Sequence, residues 1–216
     1  MTTISDYFAT LQDWKRLPAY RAETRIDSIV GFALPQVLLH ARGLTVKAVV
    51  PELPLRFGSI RPPLNAKRKV ANLSFKVDFF VVTECGKNLL IEFKTDSASR
   101  RDGQDAYLRD AQAVGLNAVL SGVLVLYAKT KAKTKYRYLI EKLMKAGLVR
   151  ERGASFEATA ATDDIDIIYI QPRVKNLDIA SQVIDFNTVA ESLRTGFPDD
   201  EFMLEASKAF EAWAAD

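Results

Sequence analysis

Two carboxylates and an amine stand where a β-hairpin would otherwise be wholly apolar. They are Asp78, Glu92 and Lys94, within the run from Lys76 to Asp96 that reads KVDFFVVTECGKNLLIEFKTD. Val77, Phe79 and Val81 alternate with Asp78, Phe80 and Val82, and beyond a turn Leu89, Ile91 and Phe93 alternate with Leu90, Glu92 and Lys94. That is the period-2 pattern of paired strands. Side chains change face at every residue, so Asp78 and Glu92 share a face only if the numbers of paired residues sum to an even value. A three-residue connection through Glu84, Cys85 and Gly86, with Gly86 left-handed, pairs Thr83 with Lys87 and Asp78 with Glu92. A four-residue connection would set Asp78 beside Phe93 and bury an unpaired carboxylate among apolar groups, which is costly. The pattern therefore favours two carboxylates side by side, with Lys94 one step further along the same face.

Adjacent carboxylates repel, and both ionise at neutral pH only when a cation lies between them. Oxygen-only ligands suit Mg²⁺ or Mn²⁺ rather than Zn²⁺. Such an ion can hold a phosphate oxygen and acidify a water, while the Lys94 ammonium positions that water or offsets charge at the phosphorus. The chemistry expected is phosphodiester hydrolysis. The alternative is an exposed polar hairpin face carrying a Glu–Lys pair worth little. Phe80, Val82 and Leu90 share that face and are too apolar for it, so a partly covered cleft is expected. The tripeptide acid-x-Lys carries little by itself, since Asp13-Trp14-Lys15 has the same form in a stretch that reads as helix.

Asp78, followed fourteen positions later by Glu92-Phe93-Lys94 on the next strand, resembles the PD-(D/E)xK nuclease superfamily of restriction endonucleases, Holliday-junction resolvases and phage exonucleases. The resemblance spans roughly Arg21 to Gln171 as an order of elements and three residues as a motif. Val77 stands where the family's name has proline. The resemblance implies an α/β fold with a mixed central β-sheet flanked by helices, a restriction-endonuclease-like core. It implies a Mg²⁺-dependent nuclease acting on DNA, the metal held by Asp78, Glu92 and the Phe93 carbonyl, with Lys94 as the catalytic ammonium. Superfamily members often carry a further glutamate on the helix before the core strands, which makes Glu23 the candidate and Asp27 the reserve. The same two acids also fit a helix N-terminus or pairs with Arg21 and Arg25. Members commonly pair to cut both strands, so a homodimer is implied. The same fold without the chemistry, binding nucleic acid or a protein partner, is the alternative.

Composition bounds the rest. A chain of 216 residues, 48% hydrophobic and 26% charged, suits one globular domain spanning 1–216, with the nuclease-like core at about 21–171 and a helical extension at 187–216. No stretch approaches the roughly 20 apolar residues of a membrane span, and no signal-peptide layout opens the chain, so a cytoplasmic protein without membrane contact is expected. Cys85 is the single cysteine, which excludes an internal disulfide and a cysteine-built metal site. The net charge of +3 permits nucleic-acid binding without requiring it.

Along the chain, helices are expected at 3–14 and about 22–40, the latter with Ile26, Val30, Ala33, Leu34 and Val37 in one stripe and Pro35 kinking or splitting it. His40 at its end is assigned no function. A strand at 44–50 leads into PELPLRFGSIRPPLNAKRK, which its prolines mark as an irregular excursion. Arg56, Arg61, Lys67, Arg68 and Lys69 make it basic, and Arg68 and Lys69 are candidate DNA contacts. Gln104 and Tyr107 lie on one face of a helix ending near Leu116. They compare with a Gln-x-x-x-Tyr motif of exonuclease relatives at a spacing of three rather than four, and Gln104 is a further DNA candidate. SGVLVLYA, 121–128, reads as a buried central strand. Lys131 and Lys133, in the basic run at its end, are candidate phosphate contacts or a solvated loop. A helix around Leu139 to Met144, a loop over 151–164, a strand at 165–171, an edge segment at 179–186 and a helix at 201–214 complete the reading, with the order β-β-β-α-β-α-β.

Overall fold

A computed structural model describes residues 4–14, 23–66, 68–95, 102–174 and 182–215. The chain opens with helices α1 (Ile4–Trp14) and α2 (Glu23–Arg42) and strand β1 (Val46–Arg56), then a short helix α3 (Phe57–Ile60), a 3-10 turn (Pro62–Ala66) and a short α4 (Arg68–Ala71). The hairpin strands β2 (Ser74–Thr83) and β3 (Asn88–Phe93) come next. Three helices follow, α5 (Asp102–Val114), α6 (Leu116–Lys129) and α7 (Lys133–Lys145), then strands β4 (Val149–Arg152), β5 (Ser155–Ala158) and β6 (Asp166–Gln171). Strand β7 (Val183–Asp185) and helices α8 (Phe186–Gly196) and α9 (Glu201–Ala214) close the chain.

The fold is mixed α/β. A five-stranded sheet in the order β1-β2-β3-β6-β7 is flanked by helices, and β4 and β5 form a separate hairpin. β2 and β3 run antiparallel, whereas β6 and β7 run parallel. All six residues of β3 are buried, as befits the middle strand of a sheet covered on both faces.

The chain divides into two compact units, one of Met1–Val46, Glu92–Arg100 and Ile168–Asp216, the other of Lys47–Ile91 and Arg101–Ile167. In the first, α8 packs on α2 and α9, and α1 on α9. An aromatic column holds it together: Phe93 stacks on Phe186 at 5.9 Å between centroids, Phe186 meets Phe210 at 5.0 Å, and Phe210 meets Trp213 at 5.2 Å. Asp185 and Asp200 cap α8 and α9, accepting from the amides of Thr188 and Met203 at 2.8 and 3.0 Å. The expected stripe of α2 is buried, and Pro35 sits inside one continuous helix. Proline inside a helix costs about 3 kcal/mol, which the burial of Ile26, Val30, Leu34, Val37 and Leu38 offsets.

In the second unit α6 packs against α3, α5 and α7. Here three expectations fail. SGVLVLYA belongs to helix α6, not to a central strand: Leu116, Val119, Leu120, Val123 and Leu126 are buried at spacings of three and four, a period that an eight-residue window conceals. The order β-β-β-α-β-α-β fails with it, and Lys131 lies in the connection between α6 and α7 while Lys133 opens α7, so neither is at a strand end. The proline-rich excursion begins as a strand, because β1 is at the sheet's edge, where proline's missing N–H is tolerated. Its remainder forms short helical turns. The stretch 151–164 opens with the β4–β5 hairpin, held by Arg150 and Arg152 on Glu157 rather than by an apolar alternation.

Candidate active site

The hairpin turn, within the second unit, has the predicted geometry. The Thr83 amide donates to the Lys87 carbonyl at 3.0 Å, and the Gly86 amide to the Thr83 carbonyl at 3.1 Å. Gly86 adopts φ 83°, the left-handed conformation that a three-residue connection requires. The Lys87 amide also donates to the Thr83 hydroxyl at 2.9 Å. The pairs Phe79–Ile91, Phe80–Leu90, Val81–Leu89 and Val82–Asn88 follow, each summing to 170, the even parity that places even-numbered residues of both strands on one face. Asp78, one residue before the first of these pairs, is half-buried on β2.

Glu92, Phe93 and Lys94 belong to the first unit. Glu92 is 1% exposed and Lys94 6%. Lys94 Nζ donates to Glu92 Oε1 at 2.8 Å and to the Phe93 carbonyl at 3.1 Å. The Lys94 amide donates to the Ile170 carbonyl on β6 at 2.8 Å, which fixes the backbone just past the end of β3. Alternation does the rest, turning the Phe93 ring into the aromatic column while Glu92 and Lys94 take the opposite face. Two hard oxygens, from a carboxylate and a carbonyl, thus gather around one cationic nitrogen. They are the donor type that Mg²⁺ or Mn²⁺ prefers, so their chemistry fits such an ion. Among the described residues, no group of three or more His, Cys, Asp or Glu side chains is arranged to hold a metal.

The outlying candidates are placed as follows. Glu23 opens α2, Gln104 lies in α5, and Arg68 and Lys69 lie in α4, with all four side chains outside the described residues. Asp27 is half-buried on α2. Lys131 is exposed. Lys133 Nζ donates to the Tyr127 and Ala128 carbonyls at the end of α6 and lies 4.9 Å from the Tyr127 ring centroid, so it serves as a helix C-terminal cation. Two arginines of the basic excursion have internal partners. Arg56, buried, donates to Asn72 Oδ1 at 3.1 and 3.2 Å, and Arg61 pairs with Asp110 and lies over Tyr107 at 4.5 Å. Tyr107 itself stacks on Phe57 at 4.9 Å.

Sequence reasoning passed over Asp105, which is 6% exposed on α5. Its signal was present: it falls one turn before the buried Leu108, on the helix face that also carries Ala111. The Cys85 thiol in the turn is held below its ordinary range, first by the Thr83 hydroxyl 3.3 Å away and then by the Lys87 amide.

No family model, curated protein or solved structure matches the chain.

Proposed function

We propose that the protein is a Mg²⁺- or Mn²⁺-dependent nuclease hydrolysing phosphodiester bonds in DNA, with a restriction-endonuclease-like core. The observation that carries this reading is the buried Glu92–Lys94 pair at the end of β3. Burying two charges costs several kilocalories per ion, and a hydrophobic pair of the same size is often as stable or more so, so such a pair contributes little to stability. A use at that place explains it better.

The parity of the β2–β3 register supports the second part of the proposal, that Asp78 joins Glu92 as a metal ligand, with the Phe93 carbonyl as a third. A divalent ion held there would neutralise phosphate charge and make water more acidic. Lys94 would offset the negative charge that grows on the phosphate oxygens as water adds and the leaving oxygen departs with a proton. Glu23 is the proposed further acid, and Gln104, Arg68, Lys69, Lys131 and Lys133 are the proposed DNA contacts. A homodimer is proposed from the resemblance to the PD-(D/E)xK superfamily, and a cytoplasmic location from the single cysteine, which suits a reducing compartment.

One observation favours a second reading. Lys94 Nζ has both Glu92 and the Phe93 carbonyl as partners, which suits an inert scaffold that binds nucleic acid or protein. Incubation with supercoiled, linear and branched DNA and Mg²⁺ or Mn²⁺ separates the two. The nuclease cuts at least one of these and stops in chelator. The scaffold binds without cutting, and its binding is unmoved by Asp78→Ala or Lys94→Ala.

A further inference from the structure

We infer that a groove of the second unit, between β1, β2 and α7, binds single-stranded nucleic acid, taking up a base together with its phosphates. The groove holds about 300 Å³, the lower end of the range for small-ligand sites. Its apolar lining comes from Val50, Pro51, Pro54 and Leu139. Lys76, Lys135 and Lys142 line the groove too, with Tyr136 and Tyr138. The sequence builds one wall by helical period. Lys135, Tyr138, Leu139 and Lys142 recur at i, i+3, i+4 and i+7, which puts cations, an aromatic ring and an apolar contact on one face of α7. Read at every second position, as a strand or loop, the same lysines give no such grouping.

Charge and shape select the occupant. Glu52 is the acid of the lining, and Lys76 meets it at 2.9 Å, so two lysines remain in excess. Tyr138 is 63% exposed, with Lys142 Nζ 5.2 Å from its ring centroid. An exposed aromatic face beside a cation, in a groove with an apolar lining, suits a planar base carrying phosphate. Glu52, which lines the groove, adopts φ 56°, a strained conformation for a residue other than glycine. A peptide adding as a strand is disfavoured, because Pro51 and Pro54 remove two N–H groups from the edge strand that would have to pair with it. A free nucleotide offers the same base and phosphate, but the lysines at several points of the lining suit successive phosphates of a strand.

This site requires no metal and no cleavage, so it is tested in EDTA by fluorescence anisotropy of a short labelled oligothymidylate. Tyr138→Ala is expected to weaken binding about tenfold, and Tyr138→Phe to retain it. Lys135→Ala with Lys142→Ala should lower the slope of log affinity against log salt by about 0.7 per lysine removed. Lys145→Ala, exposed on the same helix but outside the groove, should bind as wild type. Thermal melting of each variant checks that it folds. Wild-type affinity in both Tyr138→Ala and the double lysine variant would overturn the inference. So would displacement of the oligomer by dTMP at equal concentration, which assigns the groove to free nucleotide, or equal binding of a duplex. Loss of DNA cleavage with this binding intact, or the reverse, tells the failure of one site from that of the other.

Discussion

Lys94 Nζ lies 2.8 Å from Glu92 Oε1, and both residues are buried at the end of the middle strand of the sheet. Lys94→Met alone or Glu92→Leu alone breaks that buried ion pair and should cost about 3–5 kcal/mol in urea unfolding. The double variant should recover most of that loss. A double variant as unstable as the worse single one would mean that the pair is there for stability.

The parity of the hairpin depends on Gly86. Its φ of 83° is a conformation L side chains avoid, and a Cβ added there meets nothing within 4 Å, so a substitution acts through backbone strain alone. Gly86→Ala should cost about 1–2 kcal/mol and Gly86→Asn less. Equal urea midpoints for wild type and Gly86→Ala would show that the turn does not need the left-handed residue, and the shared face of even-numbered residues would be in question.

Cys85 reports on the same turn. Hydrogen bonds from Thr83 and the Lys87 amide favour the thiolate, so alkylation by iodoacetamide should reach half its maximal rate below the ordinary thiol pKa of about 8.5. Thr83→Val removes the larger cause and should move the profile to higher pH. A wild-type profile centred at or above the ordinary value would contradict the hydrogen bond.

The hairpin was legible in the sequence because everything that sets it is local: alternation, one glycine, and a carboxylate that the wrong register would bury. Strand β6 and helix α9 were legible for the same reason, an apolar run with clear ends or an unbroken helical stripe. SGVLVLYA was not, since a short apolar run fits a buried strand and a buried helix equally, and only the leucine and valine positions upstream of it reveal the longer period. The proline-rich excursion was misread because proline's tolerance at β1 depends on that strand lying at an edge, a fact of topology rather than of sequence. Asp105 was passed over although its helix was expected, because a carboxylate on a helix is ordinarily solvated, and the lysine and tyrosine face of α7 was missed by reading 129–137 at every second position where the chain runs with period 3.6. Arg56 and Arg61 read as free cations, but their partners Asn72 and Asp110 lie 16 and 49 residues away.

The central claim is that Asp78 and Glu92 share one divalent ion beside the Lys94 ammonium. Mn²⁺ binding, followed by electron paramagnetic resonance alongside cleavage of supercoiled DNA, tests it most directly. Asp78→Asn should lose both the bound ion and cleavage, whereas Lys94→Met should keep the ion and lose cleavage. Mn²⁺ bound by Asp78→Asn as by wild type, or wild-type protein that leaves every DNA intact with either metal, would contradict the account.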